Sequence, residues 1–371
     1  MERNEIYIIH GSDYKEMTVR LLEAADLAGM IGDRKKKVGL KPNLLAAIDP
    51  SEGATTHPEL VEGTITYLKG KGFSDITVME GAWVGARTSD AERELGIGEL
   101  CRREGVPFVD LQQDSYHTVD AAGISMELCD TPCRMDFMIN MPVLKGHCQT
   151  VVTCALKNQK GVITNNEKRR FHRMGLHKPI AHLNTVARSD FILVDNICGD
   201  LDFEEGGNPV QMDRLIGFAD PVLCDAFVCD TMGYDVSEVP YIGMAEQLGV
   251  GSSDLSRART ITLNKPADAQ GKRDIRQSRK VGNLSAYVDA RDSCSACYGM
   301  LIHALSRLDE EGHLSRGRAR DLPRICIGQA YRGQSGDVGI GSCTAGFARN
   351  LPGCPPSATQ MYQFLKENWV L

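Results

Sequence analysis

Short apolar runs alternate with longer segments of helical period through residues 1–232. Glu5–Ile9, Val38–Lys41, Ile76–Glu80, Val106–Leu111, Met135–Met141, Phe191–Asp195 and Leu215–Ala219 read as strands. His57–Lys71, Ser89–Glu104, Pro179–Ala187 and Pro221–Met232 read as helices. Pro58 suits a first-turn position, and Asp220-Pro221 has the form of an N-cap followed by a first-turn proline. This βαβα rhythm predicts an α/β fold with a doubly wound, mostly parallel sheet. Ligands of such sheets bind beyond the carboxyl ends of the strands. Polar residues fall at those ends: Lys41, Asn43, Glu80, Lys145, His147, Asp195 and Asn196.

The pattern changes near Gly251–Val281, where residues 266–280 are polar and basic with no apolar period. We read that stretch as a linker or surface excursion. It divides the chain into an α/β domain, 1–265, and a smaller α+β domain, 266–371. In the second domain Cys297–Leu308 and Ser357–Trp369 have helical spacing, Arg324–Gly328 reads as a strand, and Gly333–Gly346 is rich in glycine.

A length of 371 residues is too great for one ordinary domain, and 42% apolar with 25% charged residues suits a globular core. The net charge of −7 argues against broad nucleic-acid binding. The basic clusters Arg34–Lys37 and Lys168–Arg170 read as solvated surface. The N-terminus lacks the form of a signal peptide and no run is long enough to span a membrane, so a cytoplasmic protein is expected.

Thirteen cysteines raise the question of metal chemistry, since disulfides are disfavoured in a reducing compartment. Cys224 and Cys229 lie in an apolar helix and suit a core. Cys294-Ser-Ala-Cys297, Gly341-Ser-Cys343 and Gly353-Cys354-Pro-Pro form a different set. Four thiolates suit a [4Fe–4S] cluster or a tetrahedral zinc, with four unrelated buried cysteines as the plain alternative. Glycines beside Cys343 and Cys354 let backbone N–H groups approach sulfur. Cys297 and Cys354 each precede a helical pattern, whose positive end favours an anionic cluster. We therefore expect Cys294, Cys297, Cys343 and Cys354 to hold a [4Fe–4S] cluster. Cys326, inside a strand, is expected in the core or lining the cluster pocket.

The densest polar run is Asn140-Met-Pro-Val-Leu-Lys145-Gly-His147, followed by Cys154-Ala-Leu-Lys157-Asn158-Gln-Lys-Gly161. Lysines after a buried strand point at a carboxylate or phosphate, and histidine titrates near neutrality. Lys145, His147, Lys157 and Asn158 are the candidate catalytic set. His172, His177 and His182 are spaced by five, so they do not share one helical face. Asp225, one turn into its helix, faces either the site or solvent. There is no G-x-G-x-x-G and no Walker loop, which leaves nucleotide binding without a motif.

Several of these residues fall in an ordered set: Lys41-Pro-Asn43, His57-Pro58-Glu59, Pro142-Val-Leu-Lys145-Gly-His147, Leu156-Lys157-Asn158 with Gly161, Ile180-Ala-His182-Leu and Asp220-Pro-Val with Asp225. In that set residues 35–250 resemble the family called domain of unknown function 362. The resemblance implies a frequent association with ferredoxin-like iron–sulfur segments, but no settled reaction. The tail departs from the ferredoxin pattern, having no C-x-x-C-x-x-C run, which implies one cluster of unusual spacing.

The expected function is that of an anaerobic-type iron–sulfur protein, a redox enzyme or electron-transfer protein. The alternative is a non-redox lyase or isomerase with a structural cluster or zinc. A third class is an electron carrier or assembly factor with no substrate of its own. Expected partners are a small anionic substrate or a redox partner protein, with no nucleic acid and no membrane. Self-association into a homo-oligomer stays open.

Overall fold

The computed structural model describes residues 1–147, 149–200, 209–265, 280–293, 295–314 and 322–370. The chain divides into two compact units: Met1–Lys168 with His177–Arg276, and Arg169–Leu176 with Gln277–Leu371. No helix among the described residues is long and apolar enough to cross a membrane.

The larger unit is built on an eight-stranded sheet. Its strands are β1 (Glu5–His10), β2 (Val38–Pro42), β3 (Ile76–Glu80) and β4 (Phe108–Asp110). A separate hairpin follows, β5 (Tyr116–Ala121) and β6 (Ile124–Cys129). Then come β7 (Phe137–Met141), the short ribbon β8 (Lys145–His147) and β9 (Val151–Thr153), β10 (Phe191–Asp200), β11 (Pro209–Phe218) and β12 (Arg259–Thr262). The large sheet has the order β12-β1-β11-β10-β7-β2-β3-β4.

The block from β10 to β4 is parallel, and β11 runs antiparallel to both β1 and β10. Every residue of β2, β3, β7 and β10 is buried. This follows from the βαβ connections, which cover both sheet faces with helices. Leu21, Leu22, Leu60, Ile65 and Leu68 pack against Leu40, Val78, Ile139 and Leu193 in one apolar core. From β2 the chain moves outward to β3 and β4, and then returns to place β7 on the other side of β2. The β2–β7 boundary is therefore a topological switch point, the place where sheets of this kind bind ligands at the carboxyl edge.

The expected strands and helices occur, with informative differences. The single helix expected over Ser89–Glu104 is two, Thr88–Glu94 and Ile97–Arg103. Gly96 between them has φ 70°, a left-handed conformation that ends the first helix. The β5–β6 hairpin has no counterpart in the expected strands. Its turn places Ala122 and Gly123 at φ 51° and 92°, the sign required by a tight hairpin. Just before the stretch read as a linker, Arg259–Thr262 adds a parallel edge strand to β1 that the sequence pattern had not indicated. Residues 266–279 lie outside the described part.

The smaller unit contains a four-stranded parallel sheet in chain order, β13 (Val288–Ala290), β14 (Ile325–Ile327), β15 (Val338–Ile340) and β16 (Arg349–Leu351). These strands are short, so helices supply much of the core. Leu301, Ile302, Leu305 and Leu308 of helix Ser295–Glu310 are buried, as are Met361 and Leu365 of helix Ala358–Leu365. Ser357 and Gln360 form a reciprocal cap on the latter. The Trp369 indole donates to the Pro323 carbonyl at 2.8 Å and meets the Tyr287 ring edge-on.

Asp220 caps helix Pro221–Met232 by accepting from the N–H groups of Val222 and Leu223. Replacing it with alanine should lower stability by about 1–2 kcal/mol, read as a lower urea midpoint. An unchanged midpoint would remove the cap from the account.

Candidate active site

The carboxyl edge of the sheet carries charge that burial would make costly if unpaired. Lys41 on β2 and Glu80 on β3 are both buried and form an ion pair at 2.8 Å. Burial pulls the Lys41 pKa down, and Glu80 opposes the shift. Glu80 also accepts from the Gly81 N–H at 2.7 Å. Gly161 lies directly on the pair: a Cβ there would overlap both Glu80 Oε1 and the Lys41 ammonium.

Lys168, expected on a solvated surface, is instead buried, and that expectation is corrected. Its ammonium donates to the Gly81 and Ala82 carbonyls at 2.9 and 2.8 Å. Burial pushes its pKa down to about 8. The flanking Arg-Arg sequence masks this lysine, whose role depends on the strand it faces after folding.

Three asparagines run across the switch point. Asn140 on β7 donates to the Ala155 carbonyl at 2.9 Å. Asn158 donates to Asn140 Oδ1 at 2.7 Å, and Asn43 donates to Asn158 Oδ1 at 3.0 Å. The Ala155 carbonyl can only accept, so it fixes the orientation of all three amides. Asn43 Oδ1, at the head of the relay, is buried without a hydrogen-bond partner. It is an acceptor available to a ligand O–H or N–H.

A loop folds over the same edge. Thr56 Oγ1 donates to the Met141 carbonyl and accepts from Asn43 N–H, both at 2.8 Å. Ala54 offers its carbonyl to the buried Lys145 ammonium at 2.6 Å. His57 pairs through Nδ1 with Asp195 Oδ2 at 2.8 Å, and the same oxygen accepts from the His57 backbone N–H. Asp195 is fully buried at the carboxyl end of β10, while the His57 side chain is 12% exposed. Burial lowers the His57 pKa, but the Asp195 carboxylate, its hydrogen bond, Glu59 and Asp49 together leave it raised. A histidine held this way by a carboxylate is suited to proton transfer through Nε2.

The sequence had marked His57 as a helix opener and Asp195 as a strand-end polar residue. Their pairing was missed because 138 positions separate them. Arg214 on β11 is a second missed cation. Its Nε donates to Asn196 Oδ1, its buried Nη2 has no partner, and burial lowers its pKa to about 10.

The four expected catalytic residues occupy one stretch and are all buried. Lys145 and Thr153 are register partners in the β8–β9 ribbon, and the Lys157 ammonium bonds Thr153 Oγ1 at 3.1 Å. Lys145 and Thr153 therefore share one face of the ribbon. His147 Nδ1 accepts from the N–H groups of Gln149 and Thr150 at 3.0 Å, which places the ring proton on Nε2. Asp225 turns inward, accepting from Ala155 and Leu156 N–H at 2.7 and 3.3 Å, and burial raises its pKa to about 7. His182 Nδ1 contacts the Ala121 carbonyl at 3.0 Å, and His177 stacks on Tyr241.

In the smaller unit, Cys297 is half-buried on helix Ser295–Glu310, Cys343 is half-buried and Cys354 is exposed. Cys294 lies outside the described residues. The Cys297 sulfur lies 3.5 Å from where a Cβ on Gly341 would stand, two residues before Cys343. Ser342 N–H donates to the Gly353 carbonyl at 2.8 Å, which joins the Cys343 loop to the Cys354 loop. Gly341 and Gly353 have φ of 92° and 138°, so both loops require glycine there. Among the described residues of this unit, no three metal-ligating atoms lie within 4.8 Å of one another. A single zinc with bonds of about 2.3 Å would draw its sulfurs closer than that. Cys326 on β14 is half-buried.

Residues 38–230 match the family model described as "Domain of unknown function (DUF362)". The thylakoid-associated protein sll1697 of Synechocystis sp. is 26% identical over 250 residues, which cover 64% of this chain and 74% of that protein. The lactate racemase apoprotein from Thermoanaerobacterium thermosaccharolyticum aligns with a TM-score of 0.41 at 16% identity, over 63% of this chain and 57% of that one. The chain thus spans little more than half the length of that solved structure.

Two outcomes test the electrostatics. Lys41→Met should cost about 3–5 kcal/mol, because it strands a buried carboxylate, and K41M/E80L should recover much of the loss; denaturant melts of both variants decide this. For His57, the folded pKa lies above the ordinary 6.5. The stabilisation is therefore full below pH 6.5 and is lost as pH rises through the raised value. The stability gap between wild type and His57→Gln should narrow with increasing pH, and a gap that widens would reverse the assignment.

Proposed function

We propose that this chain, which belongs to the family described as "Domain of unknown function (DUF362)", is an iron–sulfur redox enzyme acting on a small anionic substrate. The observation that carries the reading is the meeting of three cysteine-bearing segments at Gly341, with Cys297 against that glycine and the loops of Cys343 and Cys354 hydrogen-bonded together. With Cys294 as fourth ligand, these residues would hold a [4Fe–4S] cluster. When bound, a cluster with four protein thiolates supplies one-electron transfer and has no iron open to substrate.

The substrate belongs at the carboxyl edge of the β2–β7 boundary. Asn43 Oδ1 accepts a hydroxyl or amine proton from it. Lys145 and Lys157 offset its negative charge, and Asn158 holds Asn43 in place. His57, oriented by Asp195, gives or takes the proton that accompanies electron transfer. His147, with its proton on Nε2, is a second donor within the same run.

The His57–Asp195 dyad also favours a second reading. A lyase or isomerase needs only a proton shuttle and charge stabilisation, with the cluster serving structure.

Anaerobic purification should yield a brown protein with about four irons and four sulfides per chain. Its reduced form should show an electron paramagnetic resonance signal. Cys343→Ser or Cys354→Ser should lower iron content. A colourless, zinc-loaded protein, or iron unchanged in both variants, would sink the cluster. Turnover unaffected by oxidising or reducing the bound cluster would move the assignment to the proton-shuttle reading.

A further inference from the structure

A second group of potential ligands lies inside the larger unit, apart from the four tail cysteines. Cys154 precedes the helical turn Ala155–Asn158, and Cys224 and Asp225 lie on helix Pro221–Met232. All three are buried. The two sulfurs are 3.8 Å apart. Both sulfurs and a carboxylate oxygen of Asp225 lie within 4.8 Å of one another.

We propose that Cys154, Cys224 and Asp225 form a binding site for one thiophilic divalent cation, with zinc as the best match.

The spacing is that of a shared ion. Tetrahedral zinc with Zn–S bonds of about 2.3 Å sets two sulfurs about 3.8 Å apart. A thiol–thiol hydrogen bond accounts for the sulfur pair alone, and capping of the Ala155 turn accounts for Asp225 alone. A cation accounts for the convergence of all three. The Asp225 carboxylate already accepts backbone N–H groups from Ala155 and Leu156 and a hydrogen bond from Tyr241, and of its roughly four lone pairs one remains for a metal. Those N–H groups fix the carboxylate as outer-shell donors do in metal sites.

Loading exchanges the two thiol protons for the ion. Two thiolates and one carboxylate then carry −3 against +2, and Lys145, close enough to Cys154 to act on its charge, supplies local compensation. Three protein ligands leave a fourth position, and the buried Tyr241 hydroxyl, which donates toward the Val152 carbonyl at 3.3 Å, lies beside Asp225 with an oxygen lone pair that could fill it. The ion would tie the turn carrying Lys157 and Asn158 to helix Pro221–Met232. This site does not depend on the tail cluster.

The test uses the full chain, dialysed against micromolar zinc and then against metal-free buffer. Zinc and iron are counted by mass spectrometry, and the zinc shell is read by X-ray absorption. We expect about one zinc per chain with two sulfur neighbours at about 2.3 Å and the remainder oxygen. Cys154→Ala and Cys224→Ala should each lose that equivalent with iron unchanged, and Cys343→Ser should retain it. Wild type holding no zinc, a shell of four sulfurs, or full zinc in Cys224→Ala would overturn the site. Where an alanine variant fails to fold, the sulfur count of the wild-type shell decides alone.

Discussion

Charge held at the dry carboxyl ends of parallel strands constrains most of the larger unit. Lys41 and Glu80 stand side by side on β2 and β3 with almost no exposure. Removing either would leave a charge that neither water nor protein could solvate. The surrounding structure is arranged to hold the pair. Gly161 approaches because it lacks a Cβ, Gly81 donates its N–H to Glu80, and Lys168 binds the carbonyls that follow β3. The carboxyl edge of β2 and β3 is therefore a buried polar layer rather than an extension of the apolar core.

The site divides its work between buried and accessible groups. The asparagine relay from Ala155 to Asn43 is fully directed, and its last acceptor is left open. The loop Gly53–His57 ties itself to β7 through Thr56, to Lys145 through Ala54 and to β10 through His57 and Asp195. Of these side chains, His57 keeps limited exposure while its partner carboxylate is dry. That is the arrangement expected of a group that exchanges protons with something bound outside the sheet.

The smaller unit solves a different problem. Its strands have three residues each, too few to form a core by themselves. Helix–helix packing and the Trp369 anchor supply stability, which leaves the glycine loops after β15 and β16 free to present cysteines. Metal ligation there and at Cys154–Cys224 would use separate sulfur sets, one at a helix start and two glycine loops and one between buried elements.

Local pattern in the amino-acid sequence determined the parallel strands at the centre of the large sheet, the helices that open at Pro58 and Pro221, the Asp220 cap and the polar character of the strand ends, but not helices Tyr14–Ala24, Asn165–Met174 and Pro240–Gln247. These are near-neighbour properties: apolar period, N-cap chemistry and composition act within one or two turns of the chain. The lysine and asparagine run at residues 140–158 and the spacing of the tail cysteines were visible for the same reason. Only tertiary structure decided which strands became neighbours, that Lys168 is interior, that His57 meets Asp195, and that Cys154 meets Cys224. It also set the antiparallel course of β11 and the β5–β6 hairpin. Each of those depends on a partner distant in sequence or on a backbone sign of φ, and residue periodicity carries no information about either.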